Sequence, residues 1–284
     1  MPGRRRAGVA GAALTAALAW PAIAGAHGLV QRANLPIPEW LFGGAAAAVL
    51  VLSFLALALL WSRPRIEGSD GWRPLPYVGR GLGSGALEDA CQVLGLLLLV
   101  AVVVAGFAGV QEPADNLAPT FVYITFWVGF AFASALFGDV FRAFNPWRAL
   151  GRVLRLHERR PYPQRLGRWP AAAGLLGFAW LELASEGWGQ QPDLLAAAIA
   201  VYTALTLAAM YVFGVEAWIE RGEAFSVYFN FLSRLSIFER RDGIVGVRPP
   251  LSALTRLDRE PGTVAVVLVM IGTVTFDGLS QGSL

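Results

Sequence analysis

FVYITFWVGFAFASALF, residues Phe121 to Phe137, is the stretch that decides the fold. It carries no charge over 17 residues. At 1.5 Å per residue this makes about 25 Å of helix, enough with a flanking turn to cross a bilayer. The run ends abruptly in Gly138-Asp139-Val140-Phe141-Arg142-Ala143-Phe144-Asn145-Pro146-Trp147-Arg148, and residues 142 to 168 then hold eight arginines against one acid, Glu158. By the positive-inside rule such a loop stays on the cytoplasmic side. The orientation of every other segment follows from this anchor.

Composition agrees. With 56% hydrophobic residues, 15% charged residues and a mean hydropathy of +0.53, the chain is too apolar for a soluble domain of 284 residues. It reads as a multi-pass membrane protein. The net charge of +3 and the pI near 9.4 do not mark a nucleic-acid partner, because the arginines fall in loops between apolar runs. All 23 basic residues are Arg, which excludes a Schiff-base lysine, and the single Cys91 excludes an internal disulfide.

Working outward from the anchor, residues 1 to 26 combine Arg4-Arg5-Arg6, an Ala-rich apolar run and a terminal Ala24-Gly25-Ala26, the three parts of a secretory signal peptide. Left uncleaved, the segment would be a signal anchor without changing the orientation of anything downstream. Apolar runs predict spans over residues 40–61, 90–110, 121–138, 170–188, 194–215 and 263–279. The expected inner loops hold four, eight and seven arginines, and the expected outer segments after residue 26 hold only Arg32. The fold expected is therefore an all-α polytopic bundle of six spanning helices over residues 27–284, in the cytoplasmic (inner) membrane, with its mature N-terminus outside. The last run has no polar tail or flanking anchor, so the chain is expected to be the N-terminal portion of a larger bundle.

Within residues 216–262, Phe225, Phe229, Leu232 and Leu235 recur at helical spacing with Ser226, Asn230 and Ser233 on another face. That pattern predicts an interfacial amphipathic helix on the inner leaflet; the alternative is a gate or re-entrant piece. Small residues four apart, Gly129 with Ala133, Ser134 with Gly138 and Ala101 with Ala105, are expected where helices approach closely.

Charges inside spans are the informative residues of a membrane protein. Glu182 falls about 13 residues into the fourth run, Glu186 one turn later, and Asp277 about 14 residues into the last run, so all three reach the expected outer half. His27 becomes the mature N-terminus if the signal is removed after Ala26, and its amine and imidazole together can chelate copper. His157 lies in the arginine loop, on the other side, so paired-His haem and multi-His zinc centres are excluded. On the inner side Asp139 and Arg142 are spaced to pair, Asn145-Pro146 stops a helix, and Glu216, Glu220 and Glu223 are placed to meet Arg142 or Arg148. No P-loop, G-x-S-x-G, H-E-x-x-H or C-x-x-C motif is present in the sequence.

The stretches AHGLVQRANLPIPEWLF, NLAPTFVYITFWVGFAFASALFGDVFRAFNPWRALGR, GVEAWIERGEAFSVYFNFLSRLSIFERRDG and GTVAVVLVMIGTVTFDGLSQG resemble a group of bacterial multi-pass membrane proteins, common in actinobacteria, that often carry the label fenitrothion hydrolase. Members of that group continue past the point where this chain stops. The resemblance implies hydrolysis of an apolar organophosphate triester that partitions into lipid, by a water activated on a divalent transition metal such as copper or zinc. The residues for that chemistry are Glu182 and Asp277 as catalytic carboxylates and His27, Glu182 and Glu186 as metal ligands. Two other functions stay open: metal (copper) or ion handling through His27 or Glu182, and a structural or assembly subunit. In the last, the arginine loops dock a membrane-protein partner, a second copy of the chain or anionic lipid.

Overall fold

The computed structural model describes residues 39–60 and 71–280. The expected signal segment and His27 lie outside the described residues. Among the described residues four helices are long and apolar enough to cross a membrane: Gly85–Ala108 (α3), Leu117–Phe137 (α4), Pro192–Phe213 (α8) and Thr263–Ser280 (α11). Helix α1, Glu39–Leu60, covers the first expected run, and its described side chains from Val49 to Leu55 are exposed.

The fourth expected run is shorter than its apolar stretch. Helix α7, Trp169–Leu183, has 15 residues, about 22 Å at the helical rise and less than a bilayer's hydrocarbon thickness. It stops because Glu186 (φ 52°) and Gly187 (φ 91°) adopt left-handed backbone, and Ser185 Oγ accepts the Gly189 N–H at 2.9 Å to close the turn.

Several helix ends carry their signal in the sequence. Ser84 caps α3, and Pro192 opens α8 at a position that needs no N–H. Asn116 joins α3 to α4: its Oδ1 accepts the Ala118 N–H at 2.8 Å while its amide donates to the carbonyls of Ala105 and Val110. Ten residues of α4, Thr120–Gly129, are wound as a π-helix, a wide turn seen mostly as short bulges at functional sites. Gly95 of α3 lies against the chain at Phe144 so closely that an added Cβ would stand 1.9 Å from that carbonyl oxygen. Close approaches also occur at Gly106, against Pro192, and at Gly138, against Phe238, but not at Gly129, whose nearest such neighbour would be 3.5 Å away.

After α4 the chain turns at Gly138 (φ 91°) and forms two short helices, α5 (Val140–Phe144) and α6 (Pro146–Val153). Beyond α8 come α9 (Val215–Arg221) and α10 (Ala224–Ser233). Helix α10 corrects the expectation of a helix lying on the leaflet surface. It packs against α4, α5, α7 and α9, with Phe225, Val227, Phe229 and Phe231 all buried. Its polar face is half-buried and engaged by other helices: Ser226 meets Asn145, and Asn230 donates to Asp139 Oδ2 at 2.9 Å.

Aromatic rings fill the centre. Phe126 and Phe130 of α4, Phe141 of α5, Trp147 of α6 and Phe225 and Phe229 of α10 meet mostly edge-to-face, with centroids 4.8 Å apart for Phe141 and Phe229 and 4.9 Å for Phe126 and Phe225. Lipid gives no hydrophobic drive for helices to associate, so ring packing of this kind carries much of the cohesion.

The bundle is helical, as expected, with one small addition. Arg73–Pro74 (β1), Phe238–Arg241 (β2) and Ile244–Val247 (β3) form a small antiparallel sheet of order β1-β3-β2, with a short helix, α2 (Val78–Leu82), packed on β3. The β2–β3 turn is Asp242-Gly243, at φ 49° and 76°, the pair that favours a two-residue hairpin. The sheet sits at the arginine-rich end of the bundle, where Arg240 reaches the carbonyl of Gly83 just before α3.

Candidate anion-binding cleft

Two groups of charges meet at the arginine-rich end, and they differ in how completely they are paired. The first is closed. Arg148 on α6 donates through Nε and one terminal nitrogen to both oxygens of Glu216 on α9, at 3.1 and 2.6 Å, and through the other to Glu88 on α3 at 3.2 Å. Arg152 reaches both acids, and Arg240 of β2 holds the second Glu88 oxygen at 2.6 Å. Burial alone would raise the Glu216 carboxyl, but Arg148 and Arg152 outweigh it and hold the group below the usual carboxylate range. The expected pairing of Glu216 with Arg148 is present, and Glu220 and Glu223 take other roles.

Glu223 is wholly buried at the N-terminus of α10. Its Oε1 accepts from the Tyr202 hydroxyl and the Phe225 N–H, and its Oε2 accepts from the Ser226 N–H and hydroxyl. Asn145 completes the cluster. Its Oδ1 caps α6 by accepting the Arg148 N–H at 2.9 Å, and its amide donates to Ser226 Oγ at 2.7 Å. The helix-stopping signal read at Asn145-Pro146 is therefore a cap that also ties α6 to α10.

The second group surrounds a cleft of about 950 Å³ between the end of α4, α10 and the sheet, with a cavity of about 280 Å³ adjoining it. Asp139, Arg142, Asn230 and Arg234 line both. Asp139 caps α5, accepting the backbone N–H of Arg142 at 3.2 Å, so it engages the Arg142 main chain. The Arg142 guanidinium stays exposed and makes no hydrogen bond among the described residues. Burial pushes the Asp139 carboxyl up, against the pull of Asn230 and Arg142.

Arg234 donates only to carbonyls, those of Ala253 and Arg256. Burial first, and then the neighbouring Arg168 guanidinium, depress its pKa below the ordinary arginine value. Glu239, by contrast, is surrounded: Arg241, Arg248 and Arg256 lie within 3.3 Å and hold it below the usual carboxylate range despite its burial. Apolar side chains also line the cleft, Leu82, Leu87, Phe137, Val140 and Phe144, together with Glu88 and Arg240 of the closed network. The cleft thus joins two guanidinium groups that have no ion pair among the described residues, Arg142 and Arg234, to apolar side chains at the end of an apolar helix long enough to cross a membrane.

The acids singled out in the sequence fall at the other end. The packing of α7 on α11 brings Glu182 close enough to Asp277 for their charges to interact, and Tyr123 and Tyr228 also feel the Glu182 charge. Glu186 stands exposed on the left-handed turn after α7. Among the described residues no three His, Cys, Asp or Glu side chains gather as a metal site. The cleft has no signal of its own in the sequence, because its arginines read as topology signals. Comparison with protein-family models, with curated proteins and with solved structures finds no match.

Proposed function

We propose that this chain is a membrane-embedded protein that takes up a phosphate-bearing amphiphile in the cleft at its arginine-rich end. The observation that carries the reading is the Arg142 guanidinium, without a hydrogen bond among the described residues, on a cleft of about 950 Å³ that Leu82, Leu87 and Phe137 also line. An arginine fork suits phosphate oxygens, and a cleft that is part apolar suits a molecule arriving from lipid. The arginine content of the loops around it supports a cytoplasmic-side location. Hydrolysis, the activity that the resemblance implies, would need a base at the same place. Asp139, which lines both cavities, is the carboxylate so positioned.

The test is binding of dihexanoyl phosphatidate to the purified full chain in detergent, followed by titration calorimetry. Arg142→Gln should weaken binding about tenfold, the worth of one charge-assisted hydrogen bond, with no change in Tm. Unchanged affinity would remove Arg142 from the site and with it the reading.

The neighbouring carboxylates Glu182 and Asp277 favour a second reading, cation handling at the opposite end of the bundle. In that case Glu182→Gln abolishes cation flux in proteoliposomes and leaves phosphatidate binding intact. Flux equal to that of the parent chain excludes it.

A further inference from the structure

The smaller cavity, about 280 Å³, has an unusual polar lining. Three of its side chains carry buried atoms with no hydrogen-bond partner: Nε of Arg168, Nε of Arg234 and Oε2 of Glu260. Such atoms are rare because each forfeits its hydration without return. Arg168 is only 6% exposed. Its position is fixed through one terminal nitrogen, which donates to the Asp258 carbonyl at 3.0 Å and to Thr263 Oγ1 at 2.7 Å, and its plane lies over the Phe231 ring. Arg234 stands near enough for the two like charges to oppose one another, with Asp258 and Glu239 pulling the other way, and among the described residues neither guanidinium lies in an ion pair. Glu260 spends one oxygen on Arg221 Nε at 3.2 Å and leaves the other bare.

The unmet needs are complementary. Two guanidinium donors lack an acceptor, and one carboxylate oxygen lacks a donor. We infer that the small cavity binds a zwitterionic phospho-amine, its phosphate between Arg168 and Arg234 and its ammonium on Glu260 Oε2. The charges lining the cavity support this class over a simple anion: Arg142, Arg168, Arg221 and Arg234 are balanced by Asp139, Glu220, Asp258 and Glu260. A bare phosphate would leave the Glu260 oxygen unpaired. This rests on the reading of the adjoining cleft as the seat of a phosphate-bearing amphiphile, and assigns that molecule's head to the smaller cavity, with its acyl part along Phe137 and Leu87.

The experiment measures binding of four probes to the full chain in detergent: dihexanoyl phosphatidylethanolamine, dihexanoyl phosphatidate, O-phosphoethanolamine and inorganic phosphate. The ethanolamine lipid should bind about tenfold tighter than phosphatidate, one charge-assisted contact more. Glu260→Gln, which retains the oxygen that Arg221 uses, should erase that preference and leave phosphatidate affinity and Tm as in the parent chain. Arg234→Gln should weaken both lipids. Free O-phosphoethanolamine binding as tightly as its lipid makes the source a soluble zwitterion and keeps the assignment. Phosphatidate binding as tightly as the ethanolamine lipid, or a preference that survives in Glu260→Gln, overturns it while the cleft reading stands. No binding of any probe overturns both.

Discussion

Replacing Arg148 with methionine is expected to destabilise the bundle by roughly 3 kcal/mol, read as a fall in Tm in detergent. The side chain is 3% exposed and satisfies two acids on two other helices, so its loss strands negative charge. Breaking a buried pair costs about 3–5 kcal/mol, and the lower end applies because Glu216 is half exposed and Glu88 keeps Arg152 and Arg240. Adding Glu216→Gln to the methionine variant should restore part of the loss. A single variant within 1 kcal/mol of the parent, on the order of a surface pair, would mean that the network is decorative.

The second large effect is at Glu223. Leucine there leaves the N–H groups of Phe225 and Ser226 without a cap and removes the acceptor that Tyr202 uses. Each buried donor so abandoned costs about 1–3 kcal/mol, and the sum is expected near 4 kcal/mol. Tyr202→Phe in the leucine background should change Tm little further, since the hydroxyl it removes also accepts the Ala224 N–H at 3.2 Å. Glu223→Gln should fall between the two, because one of its groups becomes a donor facing backbone N–H donors that cannot reverse. Equal Tm for Glu223→Leu and the parent would show that α10 does not depend on this cap.

How far these features can be read from the chain varies with distance in sequence. The apolar runs and Asn145-Pro146 follow from spacing and residue type, whereas three acids and two arginines were open to pairing and only folding selects Glu216 for Arg148. Asp242-Gly243 between FERR and IVGV was a readable hairpin signal obscured by the surrounding arginines. Helix α10 was misplaced for a deeper reason: Phe225 and Phe229 opposite Ser226 and Asn230 suit a leaflet surface as well as a core. Only Asp139 and Asn145, 91 and 81 residues from their partners, decide between them. The cleft has the same character. Arg142, Arg168 and Arg234 are ordinary loop arginines until folding sets them around one cavity. For Glu182 and Asp277, sequence placed both carboxylates at similar depth, and the packing of α7 on α11 gave them their shared neighbourhood.

The Arg–Glu network also sets a timetable for synthesis. Glu88 leaves the ribosome 60 residues before Arg148, 64 before Arg152 and 152 before Arg240. Helix α3 therefore enters the membrane carrying an acid at its end whose only early partner is Gln92 one turn on; its arginines do not yet exist, and the last of them arrives with the β2–β3 hairpin. Until then the nascent chain must keep that end in water or against the insertion machinery. A ribosome stalled before residue 240 should hold α3 in a looser, more protease-accessible state than one stalled after it.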